Sequence, residues 1–383
     1  MRICGERVVA GLSLLSLTLA CSGGEPAVDS AVSSWEALMN DGEAATLSVS
    51  AEPIDSGNAR YCTDCSTTPL AWWKFDFCRS ESTEIEDSAT STPIQHPAFR
   101  AVSVACVVGR EGQAVRLAGG EDVIYSPDQP DYDFRQGLAI AAWINPTSVN
   151  RTQSLVRKRL AGTSAFTLAI ENGDLAFVIR RTNRRLVGIT APIEAGRFAH
   201  AAATYDGQQM RLYLDGTLVA QTTAVGELAP GAGPIMIGND ASGREFEGVI
   251  DEVWLNTVAA PPDTVKGLNC VHMPPELGIT PSTTLATGRN TPVSFDISVT
   301  NPTDPAFCPA ASYVLVPTLP YPLSVDSWYV QVAVAPGETA HVTASILATE
   351  GGPPGPISFQ YAAYDQANYS LSAVAKATFV LAD

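Results

Sequence analysis

The chain has 383 residues, 45% of them hydrophobic, and a formal net charge of −17. That length exceeds an ordinary single domain and the apolar share is enough to build real cores, so two folded units plus a tether fit best. The acidity argues against a nucleic-acid binder, which needs clustered Lys and Arg to neutralise phosphates, and otherwise promotes solubility.

The first 21 residues read as an export signal. Arg2 and Arg7 precede an apolar run, residues 8–20, too short to cross a bilayer as a stable helix. The sequence LTLAC at 17–21 resembles a bacterial lipobox, in which Cys21 becomes the lipidated first residue of the mature protein. Thr18 departs from that pattern, which prefers Leu there. Each methylene buried in lipid contributes about 0.8 kcal/mol, so the two or three chains on such a cysteine give a stable anchor. Ser22 resembles the outer-membrane sorting pattern, which implies a protein lipid-anchored at the cell outer membrane. The alternative is an ordinary signal cut nearby and a free secreted protein. Residues 22–67 are rich in Gly, Ser, Ala and acids, with Trp35 an isolated aromatic, and read as a flexible acidic tether.

Residues 68–270 carry the strand signature. Runs such as VRL at 115–117, AIAAWI at 139–144, FTLAI at 166–170, LAFVI at 175–179 and MRLYL at 210–214 are rich in branched and aromatic side chains. Asn172-Gly173, Asp206-Gly207 and Asp215-Gly216 supply the positive backbone angles of tight turns, which predicts antiparallel hairpins over 168–179 and 210–219. No comparable segment has a helical period. Many short strands with a turn every 8 to 12 residues predict an all-β sandwich or jelly roll.

At this point an ordered series of residues resembles the laminin-G-like, concanavalin A-like jelly roll. Its pieces are WKFD at 73–76, GQAVRL at 112–117, EDV at 121–123, LAIAAWINP at 138–146, HAAATYDG at 200–207, LYLDG at 212–216 and IDEV at 250–253. Phe198 departs from the family, which usually has Trp before that His. The resemblance implies a binding surface for carbohydrate or another extracellular partner. It also implies a structural calcium between the first and last strands, with Asp76 and Asp251 on those strands and the loop ending at Asp122 adding oxygens. The alternative is that Asp76 and Asp251 cap turns or pair with a basic residue.

A basic cluster stands out in this acidic chain. Arg157, Arg159, Arg180, Arg181, Arg184 and Arg185 could grip anionic groups in pairs, the last four at the tip of a predicted hairpin. Strand parity splits them between faces, so solvated edge charges or internal ion pairs are the competing account. His200 and Trp143 read as packing residues. Nowhere does an Asp follow a Glu by two positions as in the glucanases of this architecture, no paired-His zinc motif is present, and no Gly-x-Ser-x-Gly elbow occurs, so the jelly roll reads as non-catalytic.

Besides Cys4 and Cys21, six cysteines remain: Cys62, Cys65, Cys78, Cys106, Cys270 and Cys308. In an exported chain an even number predicts three disulfides. Cys270 with Cys308, and the other four among themselves, is the expected partition. Residues 271–383 hold about seven short strands, VSFDISVT at 293–300 and HVTASIL at 341–347 among them, which suggests a smaller immunoglobulin-like β-sandwich. It resembles the spacer domains appended to bacterial secreted hydrolases.

Overall fold

The computed structural model describes residues 69–79, 81–89, 94–240, 243–285 and 287–383. The residues read as export signal and tether, with Cys21, Cys62 and Cys65, lie outside the described residues.

The strands of the first unit follow one another with short connections. They are β1 (Ala71–Trp73), β2 (Glu84–Ile85), β3 (Ala98–Arg100), β4 (Ala105–Val108), β5 (Gln113–Ala118) and β6 (Ile124–Ser126). Longer strands come next: β7 (Leu138–Pro146), β8 (Gln153–Leu160), β9 (Thr163–Glu171), β10 (Asp174–Arg180) and β11 (Leu186–Pro192). The unit closes with β12 (Ala199–Tyr205), β13 (Gln209–Leu214), β14 (Thr217–Thr223), β15 (Ile235–Ile237) and β16 (Glu247–Asn256). Two eight-stranded antiparallel sheets result. One runs β14-β13-β12-β7-β16-β5-β4 with β1 added against β16, and the other runs β11-β10-β9-β8-β15-β6-β3-β2.

The predicted hairpins form where the turn chemistry allows them. Asn172 and Gly173 have φ of 49° and 101°, Asp215 and Gly216 of 49° and 73°, the positive pair that a two-residue turn needs to match strand twist. Between the sheets lies a continuous core that includes Trp73, Ile140, Phe166, Phe177, Leu212 and Ile250. Among the described residues helix is confined to α1 (Pro262–Gly267), six residues opened by Pro at its start, which follows β16 and packs Val265 on the outside of the first sheet.

The second unit comprises β17 (Glu276–Thr280), β18 (Val293–Thr300), β19 (Ala311–Thr318), β20 (Leu323–Val325), β21 (Val330–Val334), β22 (Thr339–Ala348), β23 (Gly355–Asp365) and β24 (Ser372–Leu381). It is a smaller sandwich of two four-stranded sheets, β17-β18-β22-β20 and β21-β19-β23-β24, around Phe295, Tyr313, Phe359 and Phe379. Cys270 bonds to Cys308 and Cys78 to Cys106. The first bridge closes the passage from the jelly roll into this sandwich.

Candidate functional site

Alternation along the strands gives the first sheet two different faces. Leu138, Ile140, Ala142 and Ile144 of β7 point into the sandwich core, as do Ala201 and Ala203 of β12. The residues between them point outward. Cross-strand pairing lines these up in two rows: Trp72, Trp254, Ala141, Ala202 and Tyr213 in one, and Asp251, Trp143 and His200 in the next. The alanines leave room above the sheet, and Val265 of α1 and Leu268 settle there beside Trp254.

One irregularity shapes the site. Between Asp251 and Trp254 the register of β16 against β7 shifts by one residue, and Glu252 takes φ 52°. This is a β-bulge, which inserts an extra residue and re-aims a side chain. Ile250 and Val253 stay in the core while Asp251 and Glu252, adjacent in sequence, both leave it. A non-glycine residue held at positive φ costs on the order of 1–3 kcal/mol, and such strain concentrates at functional sites.

The outcome is a small cleft on the outer face, about 70 Å³, lined by Trp72, Lys74, Trp143, His200, Glu252 and His272 together with the chain leaving α1. Three of its buried polar atoms have no hydrogen-bond partner: Trp72 Nε1, His200 Nδ1 and Glu252 Oε1. Glu252 is only 8% exposed and His200 2%. Buried polar groups are normally satisfied, because each unpaired one costs about 1–3 kcal/mol, so three around one opening mark a place for a polar ligand or water. Lys74 Nζ sits 4.0 Å from the centre of the Trp72 ring, and the Arg110 guanidinium 5.1 Å from that of Trp143. At the rim His272 Nδ1 lies 3.0 Å from Glu111 Oε1.

Electrostatics make the floor of the cleft uncharged near neutrality. Burial pushes the Glu252 carboxyl up to about 8; Lys74 opposes the shift, and Asp251, Glu111 and Asp76 add to it. Burial drives the His200 imidazole down to about 4. His272 moves the other way, raised by its hydrogen bond to Glu111. The cleft therefore presents a protonated carboxyl, a neutral imidazole and an indole N–H, flanked by aromatic surface and one ammonium.

The residues singled out from the sequence are distributed differently. Asp76 and Asp251 converge on one loop, residues 109–113: Asp251 Oδ2 accepts from the Arg110 and Glu111 backbone N–H groups at 2.8 and 3.2 Å, and Asp76 Oδ1 from that of Gln113 at 3.1 Å. Their close approach leaves no room for a β-carbon at Gly109 or Gly112. Asp122 stands apart, its Oδ2 accepting from Ala118 N at 2.6 Å and its carbonyl from the Asn239 side chain at 2.9 Å. A calcium ion wants six to eight oxygens, whereas these carboxylates meet backbone donors, and no group of three acidic, His or Cys residues among the described residues could hold a metal. Among the described residues Asp122 does not join Asp76 and Asp251 in one cluster; both of these accept from the backbone of the 109–113 loop, and Asp251 Oδ1 is buried without a partner.

The basic cluster is also dispersed. Arg157 is fully buried, 2.9 Å from Asp240, which Arg244 approaches at 2.6 Å. Lys158 pairs with Asp128 and Arg180 is buried against Thr163, 2.7 Å away. Arg159, Arg181, Arg184 and Arg185 keep exposed surface, the last three at the β10–β11 tip. Arg157 and Arg180 are therefore unavailable to an anionic ligand, because they neutralise or solvate the molecule's own interior. His200 and Trp143 are buried as expected, but on the outer face rather than in the main core, with ring centroids 5.2 Å apart. Sequence parity held the clue: Trp72 and Trp73 are adjacent on a strand, so both cannot face one core.

Residues 118–266 match the family model described as the concanavalin A-like lectin/glucanases superfamily. That segment includes the outward-facing residues of β7, β12 and β16. A search of curated proteins finds no match. Among solved structures the chain is similar to domain 4 of AbnA, a GH43 extracellular arabinanase from Geobacillus stearothermophilus, in complex with arabinotriose. That pair has 17% identity, covers 53% of this chain and 98% of the other, and has a TM-score of 0.42. It is also similar to the botulinum neurotoxin serotype D ligand binding domain in complex with N-acetylneuraminic acid, at 10% identity, 80% and 84% coverage and a TM-score of 0.45.

Proposed function

We propose that this protein is a non-catalytic carbohydrate-binding protein, exported and anchored by lipid at Cys21, whose cleft on the outer face of the jelly roll reads a neutral sugar. The observation that carries the reading is the unpartnered trio Trp72 Nε1, His200 Nδ1 and Glu252 Oε1 beside indole surface. Sugar hydroxyls both donate and accept, and the three unpartnered groups on the cleft floor offer both functions while uncharged near neutrality. Its size, about 70 Å³, admits a few waters or one edge of a sugar ring, so the remainder of a glycan lies outside it. Superfamily membership of residues 118–266 supports the same class of ligand. The second sandwich, read as immunoglobulin-like, serves as a spacer or second contact.

A glycan array probed with the mature chain and with Trp72→Ala, in calcium and in chelator, tests this. Binding of neutral glycans by the wild type, lost in the variant and indifferent to calcium, is the expected result. A silent array favours a structural or adhesive envelope protein without a small-ligand site. Release of shorter sugars would revive catalysis, or an accessory role beside it. Fatty-acid labelling that persists in Cys21→Ser would refute the anchor.

A further inference from the structure

β1 is three residues long and pairs on one edge with β16, yet it and the residue that follows it bring Trp72 and Lys74 to the cleft. Its other edge is held by a buried polar cluster. Asp87, whose side chain is fully buried, accepts from Trp72 N at 2.9 Å and Ala89 N at 2.9 Å through Oδ1, and from His96 N at 3.0 Å through Oδ2. Ser88 N donates to Trp72 O at 2.8 Å. His96 is fully buried, with Nδ1 3.1 Å from Asp87 Oδ2 and Nε2 3.0 Å from both carboxylate oxygens of Asp131. The Trp73 indole donates to the His96 carbonyl at 2.7 Å.

Each ring nitrogen of His96 faces a carboxylate, so both hydrogen bonds form only when both nitrogens carry protons. Burial disfavours that charged form, but the bonds to Asp87 and Asp131 outweigh it and leave the group titrating above its ordinary value. Besides these carboxylates, Tyr132 stacks on the ring at 5.1 Å, and beyond it lie Asp128 and Lys158, the latter 4.8 Å from the Tyr132 centroid.

We infer that His96, clamped between Asp87 and Asp131, is a positioning residue that holds β1 in register and so keeps Trp72 and Lys74 in the cleft. The inference rests on the carbohydrate reading of that cleft only for its consequence on binding. The physical link is short: losing a proton from His96 turns one charge-assisted contact into two facing acceptors, which repel. A neutral ring keeps one N–H, so one of Asp87 and Asp131 then faces a lone pair, and the carboxylate that fixes Trp72 N is no longer clamped from both sides.

Amide exchange resolved at residues 72–74, and retardation in gels containing soluble arabinan, xylan or laminarin, separate the two claims. His96→Phe keeps the stack on Tyr132 and removes both N–H groups; Asp131→Asn, at a position whose side chain is 28% exposed, is the milder variant should the first not fold. The expected result is exchange at 72–74 at least about tenfold faster, with the amides of β7 and β12 unchanged and retardation weakened by a similar factor. In the wild type that exchange, corrected for intrinsic base dependence, should rise as pH climbs above the ordinary imidazole value, and the rise should vanish in His96→Phe. Unchanged exchange at 72–74 in either folded variant overturns the clamp. If the wild type is retarded by none of the three polysaccharides, the clamp still stands or falls on exchange, and the loss falls on the sugar reading instead.

Discussion

On β7, Ile140, Ala142 and Ile144 face the sandwich interior, while Ala139, Ala141 and Trp143, one step out of phase, face α1 and the cleft. The inner set is uniformly apolar and meets the opposite sheet. The outer set is two alanines and one indole, set beside the partnerless polar atoms of Trp72, His200 and Glu252 from neighbouring strands. One strand thus carries stability on one side and recognition on the other, and a substitution reports on whichever face it touches.

Trp72 and Trp73 offer the sharpest way to break that comparison, being neighbours on opposite faces. Trp73→Ala removes a fully buried side chain from the main core and should cost about 3–5 kcal/mol in denaturant unfolding. Trp72→Ala should cost about 1–2 kcal/mol and lower glycan affinity at least about tenfold. Equal destabilisation by both would mean that the outer face is a second core and not a site.

Next in size is the covalent tie behind the cleft. Replacing Cys270 and Cys308 together by Ser frees a loop with a sequence separation of 38 residues and should cost about 4 kcal/mol in the chain-entropy account, or less where the unfolded chain retains structure. Calorimetry of the double variant checks it, and because Cys270 lines the cleft, binding should weaken as well.

Glu252 supplies a pH signature that the inner face lacks. Its folded value, about 8, lies above the ordinary 4.5, so the folded state holds the proton longer and stability falls as pH climbs between those values. Glu252→Gln abolishes that term. Its advantage over wild type should be near zero at pH 4, grow to a few kcal/mol and level off above about pH 8, as read from unfolding curves. A constant difference across that range would refute a buried, unpartnered carboxyl.

The smallest effect is expected at the basic tip. Arg184 and Arg185 are exposed, and their joint replacement by Ala should change stability by less than about 0.5 kcal/mol and leave glycan binding intact. Loss of binding there would move the site to the other sheet.

Composition, strand-length apolar runs and Asn-Gly or Asp-Gly turns determine a good deal of this protein by themselves, because they act over a few residues. The two sandwiches and the hairpins at Asn172-Gly173 and Asp215-Gly216 were legible at that level, whereas the pairing of Cys270 with Cys308, 38 residues apart, was an expectation that local pattern does not fix. The site was not. Period-two alternation places Glu252 in the core; only the bulge in β16, a register slip set by pairing with β7, turns it out beside Asp251. Which arginines are free depends equally on distant partners, as Asp240 shows by sequestering Arg157. Pattern along a chain reports which face a residue shares with its neighbours, whereas tertiary packing decides what returns to cover that face, and here the returning segment, from α1 to His272, is what makes an outer surface into a cleft.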